Sequence, residues 1–211
     1  ARDMKSQKYN HITRVLLAVG LFSMAIPALA AQVPPGTVLA EKQELVRNNG
    51  SEPSSLDPHK VESDVENNII SDLFEGLVSV SPAGEIQPRL AEKWENKDNT
   101  VWTFHLRQDV YFHSGRHCTA HDFEATFDRL LNTENPQRYT SNASFIDAAV
   151  ATDDYTFVIT LKEPKAFFLQ AIAKQWAFGL NPEYSEKYGA DLGKTAESVD
   201  GTGPFKCTQW D

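Results

Sequence analysis

Four of the six histidines, His105, His113, His117 and His121, fall in one short stretch with Cys118, and imidazole and thiolate are good ligands for zinc, nickel or copper. Gly115 breaks any helix that would set His113 above His117, and a helix start is expected between His117 and His121. The spacing therefore favours histidines spread around a turn, with metal binding kept as the second reading. Gly201-Thr202-Gly203-Pro204-Phe205 has the glycines of a phosphate loop, but no lysine stands where such a loop needs one and no strand-to-helix context surrounds it. It reads as a turn entering a strand. No Ser, Cys or His lies in a nucleophile motif and no carboxylate pair is spaced for acid and base work, so enzyme activity is not expected. Cys118 and Cys207 leave two readings open, a disulfide formed in an oxidising compartment or two small buried hydrophobes.

The elements that would position these groups are organised around Val101 to Gly115. Trp102, Phe104 and Leu106 alternate with polar neighbours as in a half-buried strand, and a hairpin is expected beyond Gln108-Asp109. Ser63 and Glu66 are spaced as a capping box ahead of Val65, Ile69, Leu73 and Leu77, which predicts a helix over Asp64 to Glu75. Thr119 and Asp122 repeat that device ahead of Phe123, Phe127, Leu130 and Leu131. Strands are expected at Glu44 to Asn48, Leu77 to Ser81, Ile146 to Ala151, Tyr155 to Leu161 and Trp176 to Leu180. A brief helical turn is expected at Leu90 to Glu95, a helix begun by Pro164 and carrying Phe167, Phe168, Ala171 and Ile172, and a helix at Pro182 to Tyr188 ended by Gly189.

The first thirty residues combine a basic start (Lys5, Lys8, Arg14), an apolar run from Val15 to Ala28, and Ala28-Leu29-Ala30 before Ala31. This is the pattern of a cleavable secretory signal, and the run is shorter than the roughly 20 residues that cross a bilayer. Ala1-Arg2-Asp3, ahead of Met4, read as upstream residues. The product is expected to be free in the periplasm and not membrane-embedded. With 29 acidic against 20 basic residues and a net charge of -9, nucleic acid is not an expected partner.

Five ordered blocks, LAEKWE (Leu90 to Glu95), TFHLRQDVYFHSG (Thr103 to Gly115), TAHDFEATFDRLL (Thr119 to Leu131), DDYTFVITLKEP (Asp153 to Pro164) and GTGPF (Gly201 to Phe205), resemble the extracellular solute-binding proteins of family 5, the peptide-binding components of bacterial ABC importers. The segment Gly36 to Leu77 is similar, more narrowly, to the periplasmic oligopeptide-binding proteins. The resemblance implies a mixed α/β fold: an incomplete N-terminal lobe of a two-lobed (type II) periplasmic binding protein. It implies a signal segment over 1–30, a ligand-binding subdomain over 31–76 and 199–211, and a smaller inserted subdomain over 77–198. Family members are more than twice as long, so the chain is expected to be an N-terminal portion. The implied function is capture of short peptides for an inner-membrane ABC permease, without a cofactor; the alternative is a periplasmic metal or metal-complex binder. Because such proteins hold an extended ligand largely by main-chain pairing, the implied ligand-binding residues are those just after LDPHK: Glu62, Ser63 and Asp64. Ser63 and Asp64 replace the family's Gly and Val.

Overall fold

The computed structural model describes residues 35–210, apart from residues 39 and 62. The signal segment and Glu62 therefore lie outside the described residues. The chain divides into two units, residues 1–46 and 47–211. In the first, described residues from 35 onward form a turn with Gly36 at positive φ and an ion pair between Lys42 and Glu44. The expected strand at Glu44 to Asn48 is absent: residues 44–46 of the first unit and 47–48 of the second are in no strand. Leu45 and Val46 are almost fully exposed, so alternation there has no sheet to serve.

In the second unit, α1 (Asp64–Leu73) begins with the expected capping box of Ser63 and Glu66. A short hairpin follows, β1 (Val78–Val80) against β2 (Ile86–Pro88). Next come β3 (Ala91–Lys97) and β4 (Val101–Leu106), joined by a tight turn in which Asp98 and Asn99 take φ of 53° and 54°. Short polar residues tolerate that left-handed backbone, which suits a hairpin turn. The helical turn expected at Leu90 to Glu95 is thus corrected to strand. Pairing with β4, from Ala91↔Leu106 to Lys97↔Val101, outweighs the helix propensity of Ala, Glu and Lys.

The capping box of Thr119 and Asp122 starts α2 (Ala120–Leu131). Strands β5 (Ile146–Asp153) and β6 (Thr156–Leu161) then complete a four-stranded antiparallel sheet in the order β3-β4-β6-β5. After α3 (Phe168–Ile172), the strand expected at Trp176 to Leu180 is instead a 3-10 turn over Gln175–Ala177 followed by backbone that joins no strand, the Gly179 amide donating to the Glu75 carbonyl at 3.1 Å and the Leu180 amide to Thr126 Oγ1 at 2.9 Å. Helix α4 (Pro182–Tyr188) ends as expected, with Gly189 at φ 51°. No strand follows GTGPF among the described residues.

Two apolar clusters result. In the first, α2 lies on the sheet, with Phe123 and Phe127 at 5.8 and 5.5 Å from the Phe157 ring and Trp102 at 5.2 Å from Phe168. Each such buried aromatic contributes roughly 2–3 kcal/mol. The second gathers Leu56, Val61, Ile70, Leu73 and Phe74 with Phe178, Leu180, Leu192 and Val199. Cys118 is buried in the first, Cys207 packs at the margin of the second, and both are free thiols. α1 and its preceding turn ride on the second cluster.

Candidate functional site

The turn Ser55-Leu56-Asp57-Pro58-His59-Lys60 is built around a fully buried carboxylate, which needs partners for every oxygen lone pair it hides. Asp57 receives the His59 amide at 3.0 Å, and its own amide donates to Ser55 Oγ at 3.1 Å. From α2, Arg129 donates to both carboxylate oxygens, Nη1 to Oδ1 at 3.1 Å and Nη2 to Oδ2 at 2.6 Å. Burial alone would raise the Asp57 pKa, but the Arg129 hydrogen bonds and charge, joined by His59, hold it below the usual carboxylate range. His59 is also fully buried. Burial first, then the Arg129 charge, push it down to about 3, so the ring is neutral. Because Arg129 only donates, His59 Nδ1 accepts its Nη1–H at 2.8 Å and the ring proton sits on Nε2. The Trp176 backbone opposes the shift, and His59 Nε2 is buried without a hydrogen-bond partner among the described residues.

Beyond this anchor the chain is stapled again. Tyr139 donates its hydroxyl to the Val61 carbonyl at 2.8 Å. The Glu66 carboxylate accepts from the Ser54 amide and hydroxyl at 3.0 and 2.6 Å, and from the Ser63 amide and hydroxyl, both at 2.7 Å. Ser63 is thereby the N-cap of α1, its amide N–H committed to Glu66, and Asp64 opens the helix with an exposed carboxylate. The structure thus places Ser63 and Asp64 side by side at the start of α1.

Asp64 lines a groove of about 590 Å³. One wall is the polar face of α1, with Asn67, Asn68 and Ser71 following Asp64; the other is Tyr139 and Asn142 with Lys174, Gln175 and Trp176. Sequence reading missed Tyr139, Lys174 and the asparagines. The α1 asparagines carry only the pattern of any solvated helix face, and Tyr139 and Lys174 arrive from distant segments. Carboxamides both donate and accept, as a peptide group requires, and the indole supplies a flat apolar face. A second cleft of about 610 Å³ is lined by Lys60, Arg129 and Arg138 among others. Its cations are engaged: Lys60 Nζ donates to the Ala190 carbonyl at 2.8 Å and Arg129 holds Asp57.

The histidines do not converge. His105 meets Glu95 at 3.2 Å, His113 donates to the Gly203 carbonyl at 2.8 Å, His117 stacks on Tyr111, and His121 sits between Glu124 and Asp154. Among the described residues no group of three His, Cys, Asp or Glu side chains is arranged to hold a metal ion. The glycines of GTGPF serve close packing: a Cβ on Gly201 would lie 2.0 Å from the Leu73 carbonyl oxygen, and the Gly203 amide donates to that oxygen at 3.0 Å. Asp200, just before them, accepts from the Ser114 amide, the Ser114 hydroxyl and Asn181 Nδ2 at 2.8, 2.7 and 2.6 Å.

Residues 85–211 match the family model described as bacterial extracellular solute-binding proteins, family 5 Middle. The periplasmic oligopeptide-binding protein OppA of Salmonella typhimurium is 38% identical over 95% of this chain and 40% of its own length. OppA of Escherichia coli is 40% identical over 85% of this chain and 37% of its own. The crystal structure of Haemophilus influenzae OppA in complex with RPPGFSPFR superposes with a TM-score of 0.76 at 35% identity, covering 82% of this chain and 37% of that one. The chain thus spans about 40% of the length of the curated relatives it matches.

Proposed function

Because this chain belongs to the bacterial extracellular solute-binding proteins of family 5, we propose that it is part of a periplasmic component that captures short peptides and delivers them to an inner-membrane ABC permease, leaving the ligand chemically unchanged. The observation that carries this reading is the groove along α1, walled by carboxamides and an indole and approached through the doubly anchored turn after Asp57. Relatives of 36–40% identity are periplasmic oligopeptide-binding proteins by name, and one solved neighbour holds a nonapeptide.

In this reading the leader over 1–30 directs export, and Glu62, Ser63 and Asp64 stand at the ligand edge. Ser63 gives its amide to the helix cap, so Asp64 presents a side chain rather than a paired backbone. Among the described residues, no helix is long and apolar enough to cross a membrane. The inserted subdomain is proposed to begin at Leu77, where the apolar cluster changes. The family resemblance implies a return at residue 199; the packing of Phe178, Leu180 and Leu192 with Leu56 and Leu73 supports a return nearer 178.

Calorimetry of the whole protein against di- to pentapeptides, zinc and nickel tests the function. Peptide heat with saturation supports the reading, and heat with metal alone replaces it with metal capture.

A further inference from the structure

The cleft beside α2 holds charge that peptide capture does not use. Lys60 and Arg129 share one carboxylate oxygen, Asp57 Oδ2, at 3.5 and 2.6 Å. Their cationic nitrogens therefore lie no further apart than those two distances together, about 6 Å, a spacing at which an anion beside both is strongly drawn. Both line the cleft of about 610 Å³ with Arg138, and among the described residues no Asp or Glu lines it. In a chain of 29 acidic and 20 basic residues this is a local reversal of sign. Asp57 sits fully buried behind the pair and offsets one of its two charges. Neither cation is exhausted as a donor. Lys60 has three ammonium protons, and one goes to the uncharged Ala190 carbonyl at 2.8 Å. Of the five N–H groups of Arg129, Asp57 and His59 take three, which leaves two among the described residues. Asn132 Oδ1 accepts the Glu134 and Asn135 amides at 2.9 and 3.0 Å, so its Nδ2 is the donor it keeps for the cleft it lines.

We propose that this cleft is an anion site that takes a phosphate group, as inorganic phosphate or as the phosphate monoester of a small molecule, with Lys60 and Arg129 as its charge partners. A tetrahedral phosphate presents oxygens in several directions, and a guanidinium beside an ammonium meets more than one of them. The volume exceeds what a bare ion fills and lies within the roughly 300–1,000 Å³ of small-ligand sites, so the body of an ester has room against Ala125, Leu180 and Pro182. The cleft shares no lining residue with the groove along α1. It is a second site, and it does not depend on the peptide reading.

Inorganic phosphate, glycerol phosphate and acetate are titrated calorimetrically, at constant ionic strength, into the whole protein and into K60Q, K60R, R138Q and K97Q. We expect saturable heat with a phosphate, weakened about tenfold by K60Q and retained by K60R, which keeps the charge. R138Q leaves the Asp57 anchor untouched and should also weaken binding, so the site remains testable if K60Q disturbs the turn. K97Q removes the same charge from the exposed end of β3 and should change nothing. Tighter binding of glycerol phosphate than of the ion supports a monoester as the ligand, and the reverse supports the free ion. Acetate binding as tightly as phosphate, or equal losses in K60Q and K97Q, would reduce the effect to general charge and overturn the site. Absence of heat with both phosphates overturns it as well, while peptide capture stands.

Discussion

Arg129 and Asp57 stand 72 residues apart in the sequence and meet through two hydrogen bonds of 3.1 and 2.6 Å, with the Asp57 side chain fully shielded from solvent. The pair ties the last turn of α2, whose other face is packed in the sheet cluster, to the turn that leads into α1. Arg129 also lies where a helix favours a cation. The groove wall is thereby fixed to the larger core by charge.

Replacing Arg129 with methionine leaves the buried Asp57 carboxylate without its main partner. The expected loss of stability is about 3–5 kcal/mol, read as a fall in the urea midpoint. D57N in the same background should recover part of that loss, because it removes the stranded charge. A methionine variant as stable as the unaltered protein would show that Lys60, 3.5 Å from Asp57, suffices alone.

Stability should fall on acidification before the carboxylates titrate. His59 has a folded pKa of about 3, against about 6.5 for a free histidine, so below neutrality the unfolded chain takes a proton that the folded chain refuses. The penalty is absent above the unfolded pKa, grows as pH falls, and reaches roughly 3 kcal/mol near pH 4. Asp57, with its lowered pKa, keeps stabilising the fold until the pH falls through that folded value; Glu75, raised by burial, works in the opposite sense. The measurement is therefore the difference between the unaltered protein and H59Q across pH 4–7, where H59Q should show the shallower slope. Parallel curves would mean that His59 is protonated in the fold.

What the sequence revealed, and what it hid, follows the range of the interactions. Both capping boxes were legible because Ser63 with Glu66, and Thr119 with Asp122, sit three residues apart and act locally. Trp102, Phe104, Phe157 and Ile159 announced their strands by alternation and are buried as expected. Leu90 to Glu95 misled because its composition suits a helix, and only β4, which starts at Val101, makes it a strand. Asp64 was reached through family resemblance. Tyr139 and Lys174 are assembled with it only by tertiary packing, and no local spacing encodes that meeting.

The two thiols should react at very different rates. Cys118 is buried in the sheet cluster, and burial, reinforced by the Asp122 charge, pushes its pKa far above that of a free thiol. Cys207 is also raised by burial but is part-exposed. Reagent added to the folded protein should modify Cys207 slowly and Cys118 only on unfolding. Mass spectrometry before and after denaturation distinguishes them, and equal labelling of both in the folded protein would contradict the burial of Cys118.

Gly201→Ala tests whether the glycines before Pro204 serve packing. The added methyl would meet the Leu73 carbonyl oxygen at 2.0 Å and its carbon at 2.9 Å. Those are backbone atoms at the last residue of α1, so no rotamer change relieves the clash. The Gly203 and Phe205 amides donate to the Leu73 and Asp72 carbonyls, both at 3.0 Å, and a shift that made room would break these bonds too. The expected cost is about 3 kcal/mol or more, and weaker peptide binding should accompany it as the end of α1 moves. Gly84→Ala is the control: its φ of 84° is unfavourable for alanine, but nothing lies within 4 Å of the added carbon, so it should cost only about 1 kcal/mol. If the two variants unfold at the same urea concentration, the close approach to Leu73 does not explain Gly201.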